Sequence, residues 1–119
     1  MTDKIEEYNI LAENFYGLGA ESIEVEDNST DEQDFEPWVV AYYDIDNDLH
    51  NTYNHDELID ELYKLNDKIR FFDEATDMGD GILALYLSLD ITATSELIEE
   101  IKEGLKQVPS IIEKFYKEN

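Results

Sequence analysis

A chain of 119 residues has room for one hydrophobic core and not two, so a single domain spanning residues 1–119 is expected. Its eight Tyr, five Phe, one Trp and many Ile fall in periodic runs, which excludes a purely solvating, disordered tail. Thirty-one acidic against eight basic residues give a net charge of −23, which argues against anionic lipid or nucleic acid as a direct partner, and the absence of cysteine excludes disulfides and thiolate metal sites.

The first predicted element is a helix. Asp3 stands at an N-cap position with Glu6 three residues on, and Ile5, Tyr8, Leu11 and Phe15 recur at helical spacing until Gly17 and Gly19 end it. "ESIEVE" (21–26) alternates, placing Ile23 and Val25 on one face of a short strand. An acidic loop follows, the stretch "VEDNSTDEQDFE" (25–36) holding six carboxylates in twelve positions without a Lys or Arg. Pro37 opens the next strand, where its missing N–H does least harm. There Val39, Ala41, Tyr43 and Ile45 form one face and Trp38, Val40 and Tyr42 the other. Two apolar faces predict a strand well inside the sheet.

"DIDNDLHN" (44–51) reads as a turn, and Asn54, with Glu57 three residues on, as the N-cap of a helix carrying Leu58, Leu62 and Leu65. "KIRFFD" (68–73) is assigned to a third strand in preference to an extension of that helix, and "MGDG" (78–81) to a turn. "ILALYLSLDI" (82–91) is the clearest strand, with Leu83, Leu85, Leu87, Leu89 and Ile91 on one face. Thr94 or Ser95 caps a final helix bearing Leu97, Ile98, Ile101 and Leu105. Pro109 is expected to break or kink it and to open a second helix with Ile111, Ile112, Phe115 and Tyr116. The order α-β-β-α-β-β-α predicts an α+β fold: a small, mainly antiparallel sheet of about four strands covered by helices.

Sites of chemistry are scarce. Asp44-x-Asp46-x-Asp48 has the opening spacing of a calcium loop, but Leu49 replaces the Gly its sharp turn needs and His55 the bidentate Glu. A solvated turn is the better reading, while a divalent ion elsewhere among so many carboxylates stays open. His50 and His55 lack zinc-type spacing, and no phosphate loop, nucleophile elbow or kinase signature is present. No catalytic residue, metal ligand or cofactor is therefore assigned.

The charge itself is the informative feature. Solubility asks for a net charge of about 2 to 8 in magnitude for a small domain, and an excess destabilises the compact state by self-repulsion. Salt adaptation is a poor explanation, because seven Lys to one Arg, with abundant Ile, Asn and Tyr, resembles an AT-rich coding bias. Acid is also concentrated. Beside the loop, Asp56 and Asp60, and Glu57 and Glu61, are four apart on one helix, with Lys64 four after Asp60 as the only relief. Glu96 and Glu100, and Glu99 and Glu103, repeat the spacing on the last helix, partly offset by Lys102 and Lys106. A rigid body bearing spaced carboxylates can present the charge layout of phosphates to a Lys/Arg-lined groove. The candidate partner-binding residues are Glu21, Glu24, Glu26, Asp27, Asp31, Glu32, Asp34, Phe35 and Glu36, then Asp44, Asp46 and Asp48, then Asp56, Glu57, Asp60 and Glu61. Phe35, Trp38 and Tyr42 offer aromatic anchors of the kind found at interface hot spots, although core packing explains each of them singly.

In size, charge and lack of catalytic motifs the chain resembles the small acidic DNA-mimic proteins of phages and mobile elements: anti-restriction proteins, anti-CRISPR proteins and uracil-DNA glycosylase inhibitors. "ESI" (21–23) is similar to the inhibitor strand whose Glu faces the enzyme, and "DFEPWVVAYYDIDN" (34–47) to its acid-aromatic-x-Pro-Trp strand. The resemblance does not extend to the hydrophobic pocket segment of that group, which is not identified in this sequence. The resemblance implies a non-enzymatic inhibitor occupying the nucleic-acid-binding site of a restriction, Cas or repair enzyme, with Glu21 as a contact. The alternative is an immunity protein that neutralises a cognate nuclease toxin. Either reading implies a basic nucleic-acid-binding protein as partner. "MTDKIEEYNI" lacks the basic start and apolar stretch of a signal peptide, so a cytoplasmic location is expected. Homodimerisation, which would lengthen a phosphate-like track, is left open.

Overall fold

The computed structural model describes residues 4–27, 37–45, 55–78, 81–89 and 92–118. The caps expected at Asp3 and Asn54, the acidic loop from residue 28 onward and the turn beyond Ile45 lie outside the described residues. In chain order the elements are α1 (Lys4–Ala12) with a 3-10 turn at Glu13–Phe15, β1 (Ser22–Glu26), β2 (Trp38–Asp44), α2 (His55–Lys68), β3 (Phe72–Asp77), β4 (Ile82–Leu87) and α3 (Ser95–Glu118). The four strands form one antiparallel sheet in the order β1-β2-β4-β3. The fold is therefore α+β, and β2 with its two apolar faces is an interior strand, as is β4.

Side-chain alternation decides which face the helices cover. Ile23, Val39, Ala41, Tyr43, Leu83, Leu85 and Leu87 share one side of the sheet. They pack with Tyr8 and Ala12 of α1, Leu58 and Leu62 of α2, and Ile101, Leu105 and Val108 of α3 in a single buried cluster. Burying a side chain of this size stabilises a fold by about 1.5–3 kcal/mol, so this layer is the principal source of stability.

Three expectations need correction. The third strand is not 68–73 but Phe72–Asp77, because α2 runs on through Lys68 and Ile69 N–H still donates to the Leu65 carbonyl at 2.9 Å. Asn66 makes the exit: its Oδ1 accepts from the N–H groups of Phe71 (2.8 Å) and Phe72 (3.1 Å), and its Nδ2 donates to the Phe72 carbonyl (2.9 Å). The fourth strand stops at Leu87, with Ser88 and Leu89 already outside it, and Ile91 lies outside the described residues.

The last helix is also continuous through Pro109. Proline forfeits the bond to the Leu105 carbonyl, but Ile101, Leu105, Val108, Ile112 and Phe115 keep one apolar stripe on both sides of it. Burial of that stripe holds the helix together. The Pro109 ring rests on Gly19, whose φ of +106° and lack of Cβ permit the approach; a Cβ there would lie 2.5 Å from Pro109 Cγ. Thr94, not Ser95, supplies the cap, its Oγ1 accepting from Leu97 N–H at 3.1 Å.

Candidate acidic interface

The second face of the sheet contributes nothing to the helix-covered cluster. The residues that alternate onto it are Ser22, Glu24 and Glu26 of β1, Trp38, Val40, Tyr42 and Asp44 of β2, and Ile82, Ala84 and Tyr86 of β4. On β3 a bulge between Phe72 and Glu74 resets the alternation. Phe72 can then enter the core while Glu74, two residues later, stands beside Tyr86 on the opposite face. Re-aiming a side chain is a known consequence of a bulge.

One cross-strand row runs Glu24–Val40–Tyr86–Glu74 through all four strands. With strands about 4.8 Å apart, its two carboxylate-bearing residues are about 14 Å apart at their Cα atoms. Between these acidic edges lie three half-buried rings. Trp38 and Tyr86 meet edge to face with centroids 5.1 Å apart, and the Tyr42 hydroxyl donates to the Glu26 carboxylate. Burial, then the negative field of Glu26 and Glu74, pushes the Tyr86 phenol above its ordinary range. Tyr42 is pushed up by burial, by its bond to Glu26 and by the fields of Glu26, Tyr86 and Glu24. Carboxylates from both edge strands thus converge electrostatically on the rings. Arg70 stands at the margin, paired with Asp73 at 3.3 Å.

The remaining candidates lie elsewhere. Asp56, Glu57, Asp60 and Glu61 are exposed on α2, which packs on the other face near β3 and α3. Lys64 pairs closely with Glu61 at 2.9 Å and also feels the Asp60 charge; it holds the Glu61 carboxyl below its usual range. Glu57, Asp60 and Glu61 line a cleft of about 410 Å³ with Lys64, Lys114 and Phe115 of the adjoining helices. Glu21 and Asp44 border a smaller cleft of about 230 Å³ with Tyr43, Pro109 and Glu113. The Tyr43 hydroxyl is buried without a hydrogen-bond partner, and burial raises its pKa.

The candidate set is therefore divided. Glu24 and Glu26 belong to the helix-free side, where Asp44 also falls opposite Ile82 at the end of β2, and Asp27 lies just beyond β1; the α2 acids occupy the helix side near the opposite edge; Glu21 lies at the smaller cleft that Asp44 also borders. Asp31, Glu32, Asp34, Phe35, Glu36, Asp46 and Asp48 are outside the described residues. Trp38 and Tyr42 lie on the helix-free face, and sequence reasoning passed over Tyr86 and Glu74. Tyr86 interrupts the Leu alternation of β4 at an outward position, which is a usable signal. Glu74 has none, because a bulge is invisible to strict alternation.

Among the described residues no charged side chain is buried, no group of three or more potential ligands is placed to hold a metal ion, and no helix is long and apolar enough to cross a membrane. No family model matches the chain, and no curated protein or solved structure proves similar to it.

Proposed function

We propose that this protein is a non-enzymatic, cytoplasmic DNA mimic that inhibits a DNA-processing or defence enzyme, of the restriction, Cas or repair kind, by occupying its nucleic-acid-binding site. The observation that carries this reading is the disposition of charge. The chain carries a net charge of −23, and its described carboxylates all remain solvent-accessible, on both layers of the fold. Such a body is attracted to a Lys/Arg groove by the same electrostatics that draws in a duplex, with fast, salt-sensitive association. The distribution over both faces favours insertion into an enclosing cleft over docking on a flat surface.

Affinity capture tests it. Tagged protein is incubated with lysate of a low-GC bacterium at low and then raised salt, and retained proteins are identified by mass spectrometry. The reading predicts retention of a nucleic-acid enzyme at low salt and its release by competing duplex DNA. Retention of proteins with no basic binding groove, or a captured enzyme that duplex DNA does not displace, contradicts it.

A further inference from the structure

We propose that, within the cleft of an enclosing partner, the helix-free face of the sheet takes an arginine side chain against the Trp38–Tyr86 pair, between the carboxylates of Glu24 and Glu74. The inference rests on the inhibitor reading only in that it supplies a basic protein as occupant. The rings offer π-faces and edges in a rigid edge-to-face pair, 5.1 Å between centroids. Carboxylates approach from both edge strands, and Tyr86 feels Glu26 and Glu74 together. A guanidinium is planar and weakly hydrated, stacks on aromatic rings and satisfies carboxylates through several N–H groups at once. An ammonium, compact and strongly hydrated, uses the rings less well.

Other occupants fit worse. A nucleic acid brings further negative charge to acidic margins. A second copy of the chain would set Glu24, Glu26 and Glu74 against the same residues, and like charges face to face oppose association. The α2 patch carries comparable acid but already holds a cation, Lys64 at 2.9 Å from Glu61.

Trp38 is the only tryptophan, so its fluorescence reports this face alone. The whole chain is titrated with a hexa-arginine and with a hexa-lysine peptide at low salt, following Trp38 emission. The arginine peptide is expected to change that emission and to bind about two- to fivefold tighter than the lysine peptide, the size of an exposed cation–π contribution. Glu24→Gln with Glu74→Gln should weaken arginine binding, and Tyr86→Leu should erase the preference for arginine, with circular dichroism verifying that each variant is folded. Asp60→Asn with Glu61→Gln on α2 should at most lower the affinity for both peptides alike through lost charge, leaving the preference for arginine over lysine intact. Equal affinity of the unaltered protein for the two peptides, an unresponsive Trp38, or a preference lost with the α2 variant overturns the arginine site. None of these results touches the inhibitor reading, which stands or falls on DNA-displaceable capture.

Discussion

Three tyrosines show how individual residues take their character from position. Tyr42 and Tyr86 face outward among carboxylates and Tyr43 inward among aliphatic side chains, yet all three are held in the protonated form by the fold. A folded-state pKa above the ordinary value of 10.0 contributes stability that is fully present below that value and lost as pH rises past it. Stability should accordingly fall steeply above about pH 10, when the unfolded chain ionises first. Parallel alkaline titrations by tyrosinate absorbance and circular dichroism check this: part of the absorbance rise should coincide with unfolding. Completion of tyrosine ionisation in a still-folded protein would contradict it. The alternation of β2 made the opposed directions of Tyr42 and Tyr43 legible in the sequence. The bond from Tyr42 to Glu26 was not, since it depends on which strand becomes the neighbour.

At the scale of elements, the long alternating and helical runs were readable because each buries a continuous stripe, and burial is what fixes a strand or helix. The boundaries that misled are those where a single contact overrides a local preference. Asn66 clamps the start of β3 by three hydrogen bonds, so α2 ends later than the run "KIRFFD" suggests. Pro109 fails to end α3 because the apolar stripe on either side of it stays buried. Gly104, inside α3 and not at a boundary, is another position where one contact outweighs local preference. A Cβ there would lie 2.4 Å from the ring of Phe71, which is fully buried and has nowhere to retreat. Gly104→Ala improves helix propensity by about 0.5–1 kcal/mol, whereas overpacking a core costs about 1–3 kcal/mol. A net loss of about 1–2 kcal/mol in urea unfolding is expected, and a gain in stability would show that α3 does not press on Phe71. The bulge in β3 acts likewise at the site: it sends Glu74 outward to Tyr86, so half of the acidic margin was hidden from the sequence.

For the whole molecule, charge sets both stability and association. With −23 on so small a body, self-repulsion opposes the compact state and is screened by salt, the Debye length shrinking from about 30 Å at 0.01 M to about 10 Å at 0.1 M. The midpoint of thermal unfolding should rise by several degrees when salt is raised from about 0.01 to 0.3 M, while binding to a basic partner weakens over the same range. An unfolding midpoint indifferent to salt would mean that the carboxylates are spaced widely enough not to repel. The overall acidity and the fold class were legible in the sequence, but the division of carboxylates between the two faces required the strand order. That division directs the inhibitor reading towards a partner that encloses the molecule. The most direct measurement of this claim is competition at equilibrium: the affinity of this protein for its captured enzyme, determined at increasing concentrations of duplex DNA. Occupation of the nucleic-acid site predicts an apparent dissociation constant that climbs in proportion to the DNA present, without limit. An apparent constant that levels off, or does not change, would place the protein outside that site and contradict the account.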